Sequence, residues 1–288
     1  MKLALGSAQF GLNYGISNSL GQVNALEVSR ILVLAQQHHI NLIDTAAVYG
    51  ESEKVLGHSG LCKNFALVSK IPALRDQEDD VAKYIESSLA NLNINQLDSV
   101  LFHRVDDVIS SPLKQTRFNH LMTQKKLGKV KKIGVSVYTP AQLSYCFDHY
   151  PLDVVQLPFN LLDQRFLHTG WLDKLKKSGI EIHCRSVFLQ GLLFMEKSQL
   201  DDYFNPYLPA LEKISQKAKA LKIPMITLAL AIVCQQRNID KIIVGCCNKT
   251  QLHEIIMAYH DAKKISDDLT ELAFNDEQLL IPSFWPQG

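Results

Sequence analysis

The 288-residue chain has no charge surplus: 30 Lys and Arg stand against 29 Asp and Glu, for a formal net charge of +1. Without an excess field nothing general draws in phosphate backbones or anionic lipid, so nucleic-acid and membrane-surface roles are set aside. Long apolar runs are missing too. The longest, Pro224 to Cys234, is about half of the roughly 20 residues a membrane helix needs. Leu3-Ala4-Leu5, between Lys2 and Gly6, is too short for the apolar segment of a secretory signal. The six cysteines, Cys62, Cys146, Cys184, Cys234, Cys246 and Cys247, include no Cys-x-x-Cys pair, and most lie inside apolar stretches. Reduced core cysteines in a cytoplasmic protein are the expectation. No low-complexity segment or Pro/Ser-rich linker divides the chain, so residues 1–288 are expected to form one domain.

What is present is a 47% hydrophobic composition, enough for a large buried core. Short apolar runs recur at Lys2–Ala8, Asn41–Asp44, Phe65–Lys70, Leu97–His103, Lys132–Ser136, Val154–Leu157, Glu181–Arg185 and Lys241–Val244. Most are continuous rather than alternating, as in parallel strands buried on both faces. Helix-period segments separate them, for instance Val81, Ile85, Leu89 and Leu92, or Leu252, Ile255, Ile256 and Tyr259. Eight strands alternating with helices predict an α/β fold of the (β/α)₈ TIM-barrel type, with a doubly wound open sheet as the alternative. The first strand is followed by Gly6-Ser7-Ala8-Gln9-Phe10-Gly11 and not by the Gly-x-Gly-x-x-Gly loop of the open sheet. That favours the barrel.

Asp44, Lys70 and His103 close three successive apolar runs, and Tyr49 follows Asp44 in the next loop. The carboxyl-terminal ends of barrel strands are where barrel enzymes keep their chemistry. Singly each residue has an ordinary explanation: a turn cap, a solvated strand end, a core histidine, a loop aromatic. Together they suggest proton transfer. A phenol near an ammonium is a better acid, since the cation favours the phenolate. Asp44 could hold Lys70, and His103 could donate a hydrogen bond to a carbonyl oxygen. A proton donor aimed at a carbonyl is half of a reduction; the hydride must come from a cofactor.

The stretch Ile43-Asp44-Thr45-Ala46-Ala47-Val48-Tyr49-Gly50-Glu51-Ser52-Glu53 resembles the signature of the aldo-keto reductase superfamily. Lys70 and His103 fall where that family's other catalytic residues fall. The resemblance continues through Gly134-Val135-Ser136, Val155 to Asn160, Arg185-Ser186 and Ile243-Val244-Gly245. It implies a catalytic tetrad of Asp44, Tyr49, Lys70 and His103, with Tyr49 as general acid in an NAD(P)H-dependent carbonyl reduction. It also implies that Ser136 and Gln156 meet the nicotinamide carboxamide. Gly6, the stretch from Arg185 and Ser186 to Gly191, and the loop from Gly245 to Glu254 would line the rest of the cofactor site.

Two departures stand out. Val137 occupies a place where the family commonly has asparagine. Gly245 and Gln251 stand where many relatives carry the lysine and arginine that meet the 2′-phosphate of NADP, with Lys249 the nearest cation. The resemblance favours NADP(H) and leaves NAD(H) open. Arg185 stands where many relatives place an aromatic residue, and its guanidinium plane could stack on a ring.

Arg104, Phe159 and Trp285 are candidate substrate contacts, with Tyr14 and Asn160 behind them. The tail, residues 275–288, is expected near the barrel mouth or its side. The expected partner is a small carbonyl compound, polar or sugar-derived, and the oligomeric state is left open. The alternatives are a nicotinamide-binding redox sensor with little catalysis, and a lyase forming a Schiff base at Lys70.

Overall fold

A computed structural model describes residues 1–74 and 81–286. The strands are β1 (Leu3–Gly6), β2 (Leu42–Asp44), β3 (Ala66–Ile71), β4 (Leu97–Phe102), β5 (Val130–Ser136), β6 (Val154–Pro158), β7 (Glu181–Arg185) and β8 (Lys241–Gly245). They form a closed barrel in chain order, every neighbouring pair parallel, and β8 returns to β1 through Leu3↔Ile242 to Gly6↔Gly245. The open-sheet alternative is thereby excluded. Each predicted run is a strand, with ends shifted by a few residues. β1 stops at Gly6 because Ser7 leads into a helical turn at Ala8–Gly11.

Among the described residues the helices of seven residues or more are α1 (Ala25–Gln37), α2 (Ser52–Ser59), α3 (Val81–Leu92), α4 (Lys114–Lys126), α5 (Pro140–His149), α6 (Trp171–Lys177), α7 (Leu208–Leu221), α8 (Met225–Gln235) and α9 (Lys249–Ala262). Sequence signals set their starts. Asn24 caps α1 through Glu27 N–H, Thr139 and Gln142 make a reciprocal capping box on α5, and Asn248 caps α9 through Gln251 N–H. No single described helix is long and apolar enough to cross a membrane.

The period of two along each strand creates two cores. Leu3, Leu5, Val100, Val135, Val155 and Leu157 join the large apolar layer between strands and helices. The alternate residues Ala4, Leu42, Val68, Leu101, Val154 and Ile243 form a smaller cluster inside the barrel. Toward the amino-terminal ends of the strands, Lys132 bonds Glu181 at 2.6 Å and reaches Asp98 at 3.4 Å, and His183 pairs with Glu181 at 2.9 Å. The barrel is therefore plugged below by ions and apolar side chains, and the same inward alternation carries Asp44, Lys70 and Arg185 to its upper rim.

Candidate active site

Lys70 sits near the end of β3 with its side chain 1% exposed. Its Nζ donates to Asp44 Oδ2 at 2.6 Å, to the Thr45 carbonyl at 2.8 Å and to Tyr49 Oη at 3.4 Å. An ammonium has three N–H donors, so each has a partner. Gln156, on β6 across the barrel, donates its amide to Asp44 Oδ1 at 2.7 Å. Burial lowers the Lys70 pKa and the Asp44 charge opposes that shift.

Tyr49 is placed by its loop. Ala47 N–H reaches back to Lys70 O, Thr45 N–H to Val68 O, and Tyr49 N–H closes a turn on Ala46 O. Gly50 has a φ of 54°, and a Cβ there would stand 2.3 Å from the Gly11 carbonyl. Glycine at both positions lets the β1 and β2 loops touch and carries Tyr49 over the rim.

His103 follows β4, edge-on to the Tyr49 ring with centroids 5.8 Å apart. Burial first, then the Lys70 and Arg185 charges, hold its pKa down to about 3. The ring is neutral at physiological pH and has one N–H to donate. The Tyr49 phenol moves upward, through burial first and the Asp44 carboxylate second, with Arg185 opposing. Burial and the Asp44 carboxylate thus keep the phenol protonated, with the Lys70 ammonium alongside it.

A cavity of about 880 Å³ opens above these groups. Of the residues expected there, Asp44, Tyr49, His103, Gly6, Gln156, Arg185, Ser186, Gly191, Gly245 and Gln251 line it, as does Tyr14. Lys70 lies beneath. A loop before α1 crosses the mouth: Ser17 Oγ meets the Gln190 carbonyl at 3.5 Å, and a Cβ on Gly191 would fall 1.7 Å from Ser17 Oγ.

Several expectations are corrected. Arg104 extends into solvent, 60% exposed and 4.0 Å from Asp106, because consecutive residues at a strand end face opposite ways. Phe159 is fully buried in the outer core. Asn160 folds onto its own turn, accepting from Leu162 and Asp163 N–H. Trp285 is buried against Phe204, with Nε1 bonded to the Leu279 carbonyl; Pro282 and Ser283 are the tail residues at the mouth. The last two tail residues, 287–288, lie outside the described residues. Lys249 does not line the cavity, and its backbone N–H donates to Glu27 at 2.7 Å. Ser136 is buried in register with Gln156 but is not among the lining residues. Val137 packs fully buried in the outer core and presents only its carbonyl, which accepts from Arg185. Tyr138 and the Ser17–Leu20 loop escaped the sequence reading. Tyr138 had the signal of standing two residues past the end of β5; the loop had none.

A parallel eight-stranded barrel that sets a buried acid–lysine pair under a phenol and a neutral imidazole, at the carboxyl-terminal ends of its strands, has the layout of a barrel enzyme. Comparison with known proteins specifies the class. The aldo/keto reductase family model matches residues 2–272, and the chain belongs to that family. It is by that membership an oxidoreductase of carbonyl compounds. Oxidoreductase YdhF of Escherichia coli (strain K12) is 29% identical over 197 residues, which are 64% of this chain and 63% of that one. L-glyceraldehyde 3-phosphate reductase of Escherichia coli O157:H7 is 24% identical over 305 residues, covering 91% and 87%. The holo form of aldo-keto reductase AKR11C1 from Bacillus halodurans shares the fold with a TM-score of 0.71 at 15% identity, over 96% of this chain and 95% of that chain.

Proposed function

We propose that the protein reduces an aldehyde or ketone to the alcohol, with Tyr49 as the proton donor. The carrying observation is the donor count at Lys70. Its N–H groups are taken by Asp44, Thr45 and Tyr49 Oη. Tyr49 Oη is therefore an acceptor toward Lys70, and its own proton is left to face the cavity. Beside it the neutral His103 has one N–H to orient a carbonyl oxygen and to stabilise charge that develops on it. When the oxygen becomes an alkoxide it takes the Tyr49 proton, and the ammonium alongside stabilises the phenolate left behind.

A nicotinamide dinucleotide, when bound, supplies the hydride that no side chain can. The residues fit such a group. The cavity lies within the roughly 300–1,000 Å³ usual for ligand and cofactor sites. Gln156, tied to Asp44 through its amide nitrogen, keeps its amide oxygen for a carboxamide N–H. Gly6, Gly191 and Gly245 keep side-chain bulk off three walls. Family resemblance favours NADP(H). Among the described lining residues Arg185 is the one Lys or Arg, and the end lined by Gln251 and Glu254 has none, which supports acceptance of NADH as well.

The substrate is read as a polar, sugar-derived carbonyl compound. Relatives named as L-glyceraldehyde 3-phosphate reductase and L-galactose dehydrogenase support this. Schiff-base chemistry is disfavoured because Lys70 lies below the cavity and is held by Asp44.

The test is a fluorescence titration with NADPH and NADH, followed by turnover of a panel of aldehydes and ketones. Saturable binding with turnover of polar aldehydes is expected. Binding without turnover across the panel would favour the redox-sensor alternative, and turnover of large apolar ketones alone would remove the substrate class.

A further inference from the structure

Arg185, half-buried at the cavity, has no carboxylate partner among the described residues, unlike the buried or nearly buried cations Lys70, Arg117 and Arg165. Lys70 is paired with Asp44 at 2.6 Å, Arg117 with Asp107 at 3.6 Å, and Arg165 with Asp163 at 2.8 Å and Glu277 at 2.9 Å. Among the described residues no carboxylate oxygen lies within ion-pair distance of Arg185. Its guanidinium donates through one terminal nitrogen to Ser186 Oγ at 3.1 Å and through the other to the Val137 carbonyl at 3.0 Å. It also lies 4.1 Å above the centre of the Tyr138 ring. Those neutral contacts use part of a five-donor fork and leave its charge uncompensated. A partly buried charge is ordinarily paired, because desolvation without a counter-charge is unfavourable.

The fork is also held in place. Stacking on Tyr138 and the bond to Val137 tie it toward the end of β5, next to β4, which His103 follows. Its charge is felt at Tyr49, His103, Lys70 and Tyr14, each of which it pushes toward the less positive or more negative form. The wall where Gly6 and Gly245 run up toward Gln251 and Glu254 belongs to β1 and β8, whereas the fork is turned the other way, toward β5. A restrained, uncompensated guanidinium in an open cavity is a receptor for a planar or tetrahedral oxyanion, to which it can present paired N–H donors.

We propose that Arg185 binds an anionic group, a carboxylate or phosphate, carried by the carbonyl substrate, and so selects charged over neutral carbonyl compounds. This rests on the carbonyl-reductase reading above. Dinucleotides carry oxyanions too, and the experiment separates that source from the substrate.

Succinic semialdehyde and its methyl ester share a carbon skeleton and differ in the charge. Wild type is expected to prefer the acid in kcat/KM. Arg185→Gln should raise KM for the acid roughly 10- to 100-fold, the usual range for loss of a charge-assisted contact, and KM for the ester far less, while the effect of the lost charge on Tyr49 and His103 falls on kcat for both alike. Arg185→Lys should recover part of the preference, since it restores the charge without the fork. Titrations with NADPH and NADH separate the two sources: any loss of dinucleotide affinity in Arg185→Gln should be much smaller than the loss on the acid. Equal rises in KM for acid and ester, or a matching loss of dinucleotide affinity, would overturn the assignment.

A calorimetric titration with succinate and dimethyl succinate does not depend on turnover. Arg185-dependent binding of succinate alone supports the inference even if no carbonyl is reduced. Indifference of wild type to the charge defeats it even if reduction is confirmed.

Discussion

Gln156 donates its side-chain amide to Asp44 Oδ1 at 2.7 Å, so the carboxylate that holds Lys70 is itself held from the far side of the barrel. Its two oxygens face different partners, one neutral and one charged. Replacing Gln156 by Met keeps the volume and removes the donor. A hydrogen bond to a charged group contributes about 1.5–3 kcal/mol, so urea denaturation should show a loss of that order. Carbonyl turnover should fall with it, because the carboxylate that holds Lys70 is then no longer braced from the far side of the barrel. Unchanged stability and turnover would mean that the bond contributes nothing.

Tyr49→Phe removes one oxygen and keeps the ring that packs edge-on to His103. Loss of a positioned general acid is expected to reduce kcat by about 10²- to 10⁴-fold. Dinucleotide affinity, read by fluorescence, should stay within a few-fold. A variant with wild-type turnover would transfer the acid role to another group.

Asp44 and Lys70 should be strongly coupled. Asp44→Leu or Lys70→Met alone leaves a buried charge without its partner, a loss of roughly 3–5 kcal/mol. The double variant should lose much less than the sum of the singles, as measured by denaturant unfolding. Additive losses would contradict a tight buried pair.

The pH dependence of His103 has a definite sign. Its folded pKa is held down to about 3, far below the ordinary value of 6.5. As pH falls below about 6.5 the unfolded chain binds a proton here that the folded chain does not, so stability is lost, by at most about 1.4 kcal/mol per unit down to the folded pKa. Between about pH 7.5 and about pH 4.5, His103→Gln should lose less stability than wild type. Equal losses would show that His103 titrates normally. For the same reason the pH profile of turnover should carry no step from His103 near neutrality.

Gly191 has a φ of 93°, and a methyl group there would collide with Ser17. Gly191→Ala should push the crossing loop off Gln190 and weaken dinucleotide binding by roughly 10-fold or more, with a smaller effect on melting temperature. Unaltered affinity in the titration would show that the loop has no part in holding the cofactor.

The barrel was legible because its strands are buried on both faces and therefore read as unbroken apolar runs. Asp44, Lys70 and His103 were legible because polar residues closing such runs must sit at a rim. Orientation beyond the last strand residue was not. His103 and Arg104 are neighbours in sequence, yet one enters the cavity and the other faces water. Trp285 looked like a pocket wall, but the tail rotates it inward onto Phe204 and leaves Phe284 exposed. The loop at Ser17–Leu20 has no periodic pattern, and its place comes from the Asn18 side chain, which donates to the Tyr14 and Gly21 carbonyls and accepts from Leu20 N–H, and from the contact with Gln190. Arg185 could be located in advance, but its lack of an acidic partner is visible only when the neighbouring strands are assembled.

The apolar plug of Ala4, Leu42, Val68, Leu101, Val154 and Ile243 gives the cavity a waterless floor. The plug closes Lys70 and Asp44 off from below, so under the proposed chemistry a proton given by Tyr49 would be replaced through the same opening that admits the substrate. A dead-end chamber of this kind imposes a queue. Under the proposed chemistry whatever binds deepest would arrive first and depart last, and the next cycle would wait until the doorway had cleared.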